Sequence, residues 1–589
     1  MVDKVISYME NRNIGSWKNN LCFMADDGSN TDGFMTEHME FADQLAGYVE
    51  SEHPEFLVNK LYYDAYKKDM TAGTYPDVRS GLQKLLKDGL LLFNYTGHGG
   101  TTALSDEKVL TQTDINQFTY THLPVWVTAT CDFTRFDDLN TSAGEDVFLN
   151  KSSGGIALFT TVRVAYSRPN FPINDNVIRN LFERNNGRRR TLGEVMQATK
   201  NTLSSVYKLG FCLIGDPAVK IAYPEFGMKV TTVNGQSVDG NSISFKALEK
   251  ITVEGEVLDA SGQLVTDFTG IVNPTVKDSK VTVTCLKNSN KDDSPAFTFT
   301  DYPNTIFIGN DSVRNGKFSF TFTVPKDISY SNLQGKMNLY AVDTESGNEA
   351  QGNFDNFIVG GTSDTAETDT IGPEIRALYL NDTTFVDGGQ VNTTPYFVAE
   401  LWDKSGVNIT GSSVGHDMML VIDESTVLSY NLNSYYELLP GEDGTGIVKF
   451  PIPALEPGKH TAEFWVWDIL NNSTVRTFTF EVVEGLKPFL FDVIATPGIA
   501  REQVTFHLMH NRPESRMRVG IMVYDLAGRQ LWKHEESGTS GLFENYTVSW
   551  DLTSGGARMR PGVYIYRAAI STDNSKDATK ARKFIILGE

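Results

Sequence analysis

The chain has 589 residues, 40% hydrophobic and 21% charged, an ordinary globular composition that at about 150 residues per domain suggests roughly four domains. A net charge of −22 and a pI near 4.9 argue against nucleic acid or an anionic membrane surface as partners. No run approaches the ~20 apolar residues of a membrane span, and Cys22, Cys131, Cys212 and Cys285 lack metal-binding spacing and are too few for a disulfide framework.

The sequence opens with VDKVISYMENRN after Met1, a charged helical pattern and not a secretory leader. From there to about residue 224, helix and strand patterns alternate. Helices are expected at 36–50, 75–87 and 191–206, and strands at 21–24, 90–95, 125–128 and 156–160. Such alternation predicts an α/β layer domain on a largely parallel sheet. Cys22 and Cys212 lie in apolar runs and read as buried small hydrophobes. After the first strand comes ADDGSNTDG, which could bind Ca²⁺ through Asp26, Asp27 and Asp32. Its spacing is not that of an EF-hand, and the alternative is a solvated acidic loop.

The most informative stretch runs from Leu90 to Asp132. LLFNYTGHGG and PVWVTATCD are apolar runs of strand length, one ending at His98 and the other at Cys131. Catalytic groups on parallel sheets collect beyond the carboxyl ends of the strands, so an imidazole and a thiol would share one rim. The imidazole would take the thiol proton and later return it to a leaving amine. Gly99 and Gly100 would let a carbonyl approach and leave backbone N–H groups for a developing oxyanion. The polar segment 134–146 reads as a substrate-facing loop or an exposed connection, which makes Thr134 and Arg135 substrate candidates. Arg163 and Arg168 stand after the strand that follows the thiol and could meet substrate carboxylates. The run Arg188–Arg190 reads as a solvated patch.

From about residue 226 helical periodicity gives way to short alternating strands such as KITVEGEVLD and KFSFTFTV, separated by turns such as Asn315-Gly316. The expected organisation is an α/β peptidase-like domain at 1–225 and an Ig-like β-sandwich at 226–360. A linker at 361–372, a second Ig-like sandwich at 373–485 and a terminal β-sandwich at 486–589 would follow.

NYTGHGG followed by PVWVTATCD resembles the gingipain family of cysteine peptidases, whose catalytic domain is caspase-like. The segments NNLCFMADDGSNTDGFMTEHM, GGIALFTTVRVAYS and LGFCLIGDPAVKIAYP extend the resemblance, in order, across about residues 20–224. It implies His98 as base, Cys131 as nucleophile, and the backbone N–H groups of Gly99 and Cys131 as oxyanion hole. It also implies that the family's first α/β subdomain is missing from this sequence. VYDLAGRQLW, PGVYIYRA and the terminal KFIIL resemble the sorting domain of proteins exported by type IX secretion, at Asp525, Gly528, Arg529, Pro561, Gly562, Tyr564 and Lys583.

Together the resemblances imply a sortase of that system at the cell surface of a Gram-negative bacterium, on the extracellular side of the outer membrane. It would cut sorting domains from cargo and join the cargo to an anionic lipopolysaccharide, with outer-membrane secretion proteins as partners and no required cofactor. The alternatives are a broad-specificity secreted cysteine protease and an inactive scaffold fragment.

Overall fold

The computed structural model describes residues 2–28, 36–151, 153–185, 187–288, 295–363, 369–411, 415–439, 444–572 and 575–588. The chain divides into two compact units, residues 1–324 with 328–365 and residues 325–327 with 366–589.

The first unit begins with α1 (Val2–Met9) and then builds a six-stranded sheet. In chain order the strands are β1 (Asn20–Ala25), β2 (Leu57–Tyr62), β3 (Leu92–Thr96), β4 (Val125–Ala129), β5 (Ala157–Thr161) and β6 (Phe211–Ile214). Their spatial order is β6-β5-β4-β3-β1-β2. The first five run parallel, while β6 pairs antiparallel with β5.

Successive side chains along each strand enter different cores, as the two-residue period requires. Leu21, Phe23, Val125, Val127 and Phe159 join a cluster with α2 (Glu37–Glu52), α6 (Ser167–Phe182) and α7 (Leu192–Thr202). Cys22, Met24, Phe93, Trp126 and Leu158 face the opposite cluster, built with α3 (Pro76–Asp88), α4 (Gln112–Asn116) and α5 (Ala143–Leu149). Local chemistry sets the helix starts. Pro76 opens α3, where a missing N–H costs nothing. Thr111 with Asp114, Ser142 with Glu145 and Thr191 with Glu194 form capping boxes.

Two departures from expectation have clear causes. Sixteen-residue α6 carries Pro169 and Pro172 in its first two turns, which disguises it as a loop in the sequence. Cys212 is half-buried and not interior, because β6 is an edge strand.

Residues 226–362 form a nine-stranded sheet, a three-stranded sheet and a two-stranded hairpin. Their core is built from alternating positions such as Ile251, Val253 and Val257. They belong to the same compact unit as the α/β portion. The hairpin Val281–Thr284 with Thr298–Asp301 supplies the reason: Cys285 and Phe299 are buried in the α/β core. The Asp64 carboxylate accepts the N–H groups of Lys287 (2.9 Å) and Asn288 (2.7 Å). Lys60 on edge strand β2 donates to the Thr300 carbonyl at 2.8 Å. The hairpin therefore covers a strand edge that would otherwise invite intermolecular pairing. A second tie is the buried ion pair of Lys18 with Glu349.

In the second unit, residues 374–482 form four- and five-stranded sheets around one core, and residues 490–586 form three- and five-stranded sheets around another. Of the expected linker, residues 364–368 lie outside the described residues. No helix among the described residues is long and apolar enough to cross a membrane, which says nothing of β-barrels.

Candidate active site

The sheet order places a switch point at β1 and β3, from which the chain winds outward in both directions. Crevices for ligands form there, beyond the strand carboxyl ends. β3 and β4 pair in register from Leu92↔Val125 to Thr96↔Ala129, and Gly97 N–H still reaches the Ala129 carbonyl at 3.4 Å. Two residues further on, His98 and Cys131 stand at adjacent strand tips, with neighbouring strands ~4.8 Å apart.

The His98 backbone is held on both sides. Its N–H donates to the Asp26 carboxylate at 2.6 Å. Its carbonyl accepts from the Tyr95 hydroxyl at 2.7 Å and from Ser105 N–H at 2.8 Å. Two glycines make this packing sterically allowed. A Cβ on Gly97 would lie 2.5 Å from the Tyr95 hydroxyl and 2.7 Å from the Asp26 carboxylate, and one on Gly99 would lie 2.4 Å from Thr130 Oγ1. A Cβ on Gly100 would meet nothing within 4 Å. The glycines at 97 and 99 thus serve close packing of the loop itself, whereas the sequence suggested a role for those at 99 and 100 in substrate approach.

Cys131 is half-buried. Its thiol donates to the Ala165 carbonyl at 3.1 Å, and Ala165 N–H approaches the sulfur at 3.4 Å. Burial pushes the thiol pKa up, the Ala165 contact opposes this, and the Asp132 charge adds to it. In this arrangement the sulfur is a protonated thiol turned toward the loop after β5.

Asp26, expected as a calcium ligand, is buried and already engaged by protein donors. His38 Nδ1 lies 2.5 Å away, Gly28 N–H 3.2 Å and the Tyr95 hydroxyl 3.2 Å, besides His98 N–H. Burial alone would raise its pKa. The charge and hydrogen bond of His38, with the charge and N–H of His98, outweigh burial and hold it below the ordinary carboxylate range. Asp27 faces another set of donors, the Tyr75 hydroxyl at 2.6 Å and Lys68 at 3.2 Å. Asp32 lies outside the described residues.

Thr134 is fully buried, and its hydroxyl meets that of Thr160 at 2.9 Å. It therefore stabilises the loop root and presents nothing to a substrate. Arg135 and Arg163 are exposed and paired with Asp138 (3.5 Å) and Asp137 (3.0 Å) respectively. Arg168 is bound to Glu37 at 2.8 Å. His38 was not singled out in the sequence. Its ring sits edge-on to that of His98, with centroids 5.0 Å apart. The available signal was its place in the first turn of α2, just beyond the acidic loop that follows β1.

An imidazole and a thiol thus stand at neighbouring tips of a parallel sheet in an α/β portion. Residues 1–222 match the family model for peptidase family C25, the gingipain family. Among solved structures, dimeric latent PorU from Porphyromonas gingivalis is similar at 26% identity and a TM-score of 0.31, over 97% of this chain and 64% of that one. The Arg-specific cysteine proteinase gingipain R is similar at 19% identity and a TM-score of 0.32, over 61% of this chain and 71% of that one. This chain thus spans about two thirds of the PorU structure, 64% of its length. Comparison with curated proteins yields no match.

Proposed function

We propose that the chain acts as a type IX secretion sortase through Cys131 and His98. The observation that supports this is the in-register pairing of β3 with β4, whose tips carry His98 and Cys131. The terminal β portion resembles a sorting domain at Asp525, Gly528, Arg529, Pro561, Gly562, Tyr564 and Lys583; two further β portions before it, and the TATCDFTRFDD context departing from the gingipain protease pattern after Cys131, favour the sortase over a general protease.

In the reaction, the thiol leaves Ala165 by rotation about its Cα–Cβ bond and gives its proton to His98. The thiolate attacks the scissile carbonyl carbon, and the backbone N–H groups of Gly99 and Cys131 receive the developing oxyanion. The C–N bond breaks as His98 returns the proton to the departing amine, which carries away the sorting domain. A thioester on Cys131 is left. Water resolves it to a carboxylate, whereas an amine on a surface lipopolysaccharide resolves it to an amide, releasing the thiol. The chemistry needs no cofactor. The protein would act on the extracellular face of the outer membrane, beside the secretion machinery.

Incubation with a cargo protein bearing a sorting domain, and with casein, tests the proposal. Release of the sorting domain without casein digestion, abolished by Cys131→Ala, is expected. Digestion of casein after basic residues would favour a general gingipain-type protease instead. Unchanged cargo processing in Cys131→Ala would remove the enzymatic reading altogether.

A further inference from the structure

Three aspartates converge at one end of the sandwich that residues 374–482 form in the second unit. Strand Tyr396–Trp402 of its four-stranded sheet runs into Asp403, and strand Gly458–Trp467 of its five-stranded sheet runs into Asp468. Strand Glu374–Leu380 pairs antiparallel with the first of these, Glu374 opposite Trp402, which brings the preceding Asp369 to the same end. The two strand ends are tied by Asn408 N–H to the Trp467 carbonyl at 2.8 Å and by Ile469 N–H to the Gly406 carbonyl at 3.0 Å. One carboxylate oxygen of each aspartate lies within 4.8 Å of those of the other two.

Asp403 is 5% exposed and Asp468 0%, while Asp369 is half-buried. Asp403 Oδ1 accepts the N–H groups of Ser405 (2.7 Å) and Gly406 (2.9 Å), and Asp468 Oδ1 accepts those of Leu470 (2.9 Å) and Asn472 (2.7 Å). Asp468 Oδ2 takes the Asn472 side-chain amide at 2.7 Å, and Asp369 Oδ2 takes the Ser405 hydroxyl at 2.8 Å. Asp403 Oδ2 is different. Although the residue is buried, this oxygen accepts no hydrogen bond among the described residues. Nor does any lysine, arginine or histidine among them pair with the three carboxylates. Buried charges are paired with an opposite charge or coordinate a metal, and these carboxylates have only one another.

We propose that Asp369, Asp403 and Asp468 form a calcium site, with Asp403 Oδ2 as a direct ligand, that fastens the segment entering the sandwich to both of its sheets. Calcium binds hard oxygens at about 2.3–2.6 Å in irregular geometry, so two ligands of one ion stand at most about 5 Å apart. The three carboxylates meet that limit. Magnesium demands near-octahedral geometry and keeps several waters, which suits a cage of protein oxygens less well. The Ser405 hydroxyl can turn a lone pair to the ion while it still donates to Asp369. The site is independent of the peptidase reading and of the acidic loop after β1.

The test uses the whole chain, freed of metal with EGTA. Tb³⁺ replaces Ca²⁺ in oxygen sites and glows when an indole nearby absorbs, and Trp402 and Trp467 directly precede two of the ligands. Sensitised emission that Ca²⁺ displaces is expected in the parent. Asp403→Asn and Asp468→Asn should each weaken Ca²⁺ binding tenfold or more, and calorimetry should count one ion fewer than in the parent. Ca²⁺ should raise the unfolding temperature of the parent more than that of either variant, because an ion bound only by the folded chain adds to its stability. Should both buried variants fail to fold, half-buried Asp369→Asn decides by the same measurements. Parental Ca²⁺ affinity in a folded variant overturns the proposal. So does a parent that takes up no Ca²⁺ at about 10 mM, beyond the weakest extracellular calcium modules. Mg²⁺ displacing Tb³⁺ as readily as Ca²⁺ does would reject calcium as the ion.

Discussion

Replacing Gly97 by alanine tests how tightly the loop that carries His98 is built. The added Cβ would sit 2.5 Å from the Tyr95 hydroxyl and 2.7 Å from the Asp26 carboxylate, where ordinary van der Waals contact begins near 3.4 Å. Those atoms must therefore retreat by about 0.9 and about 0.7 Å, or the loop must lift by a similar distance. Both belong to the groups that hold His98, so the shift passes directly to the imidazole. Overpacking of a closed site costs about 1–3 kcal/mol of stability, and misplacing a catalytic group by about 1 Å costs roughly 10²-fold in rate. Gly97→Ala is thus expected to lose about 10²-fold in cargo cleavage and in pH 7 alkylation of Cys131, while still folding. Gly100→Ala is the matched control, since its Cβ meets nothing within 4 Å, and its rate should stay within about twofold of the parent. Urea unfolding and the alkylation rate measure the two effects separately. Parental reactivity in Gly97→Ala would refute the claim that Asp26 and Tyr95 fix the position of His98.

Three further outcomes are expected. Glu349→Ala leaves the Lys18 ammonium buried without its carboxylate, in a site where burial already lowers the lysine pKa against the pull of Glu349. The loss should be about 3–5 kcal/mol by urea unfolding, and less than about 1 kcal/mol would mean that water hydrates the lysine. Iodoacetamide on the native protein should modify Cys131 and Cys212 but spare Cys22 and Cys285, which are buried with their thiol pKa values raised by burial; modification of Cys22 before unfolding would contradict the packing of β1. His510 is half-buried, accepts Arg512 N–H on Nδ1 at 3.1 Å and lies 2.8 Å from the Ser540 hydroxyl through Nε2. Burial, helped by the Arg512 charge, lowers its pKa from 6.5 to about 4. Because the unfolded chain binds the proton first, the second unit should lose stability as pH falls from 6.5 toward 4, by up to ~1.4 kcal/mol per pH unit; an NMR titration of His510 near 6.5 would rule this out.

Much of the fold is legible in order along the chain, because burial on both faces of a parallel sheet leaves short apolar runs that stop at polar or glycine-rich ends. That is why the tips carrying His98 and Cys131, and the alternation that splits Phe23 from Met24, can be read from neighbouring residues alone. The elements that escaped are those whose burial comes from elsewhere. β2 carries Asn59 and Lys60 and looks unlike a strand until the Thr298–Asp301 hairpin covers its edge and supplies the Thr300 carbonyl. The prolines of α6 similarly hide a helix that its packing against the sheet sustains.

For the site, the sequence by itself determined which residue types stand at one end of the sheet, since strand direction alone carries the His98 imidazole and the Cys131 thiol to the same edge. Only the tertiary structure decided what surrounds them. An acidic loop that reads as metal ligands becomes, once β1 and β3 lie side by side, a carboxylate bound to His38 and to the backbone of His98. Residues 26, 38 and 98 are tied by no local period. Hydrogen bonds between such distant positions are chosen by the packing of whole strands and helices, and become visible only when that packing is complete.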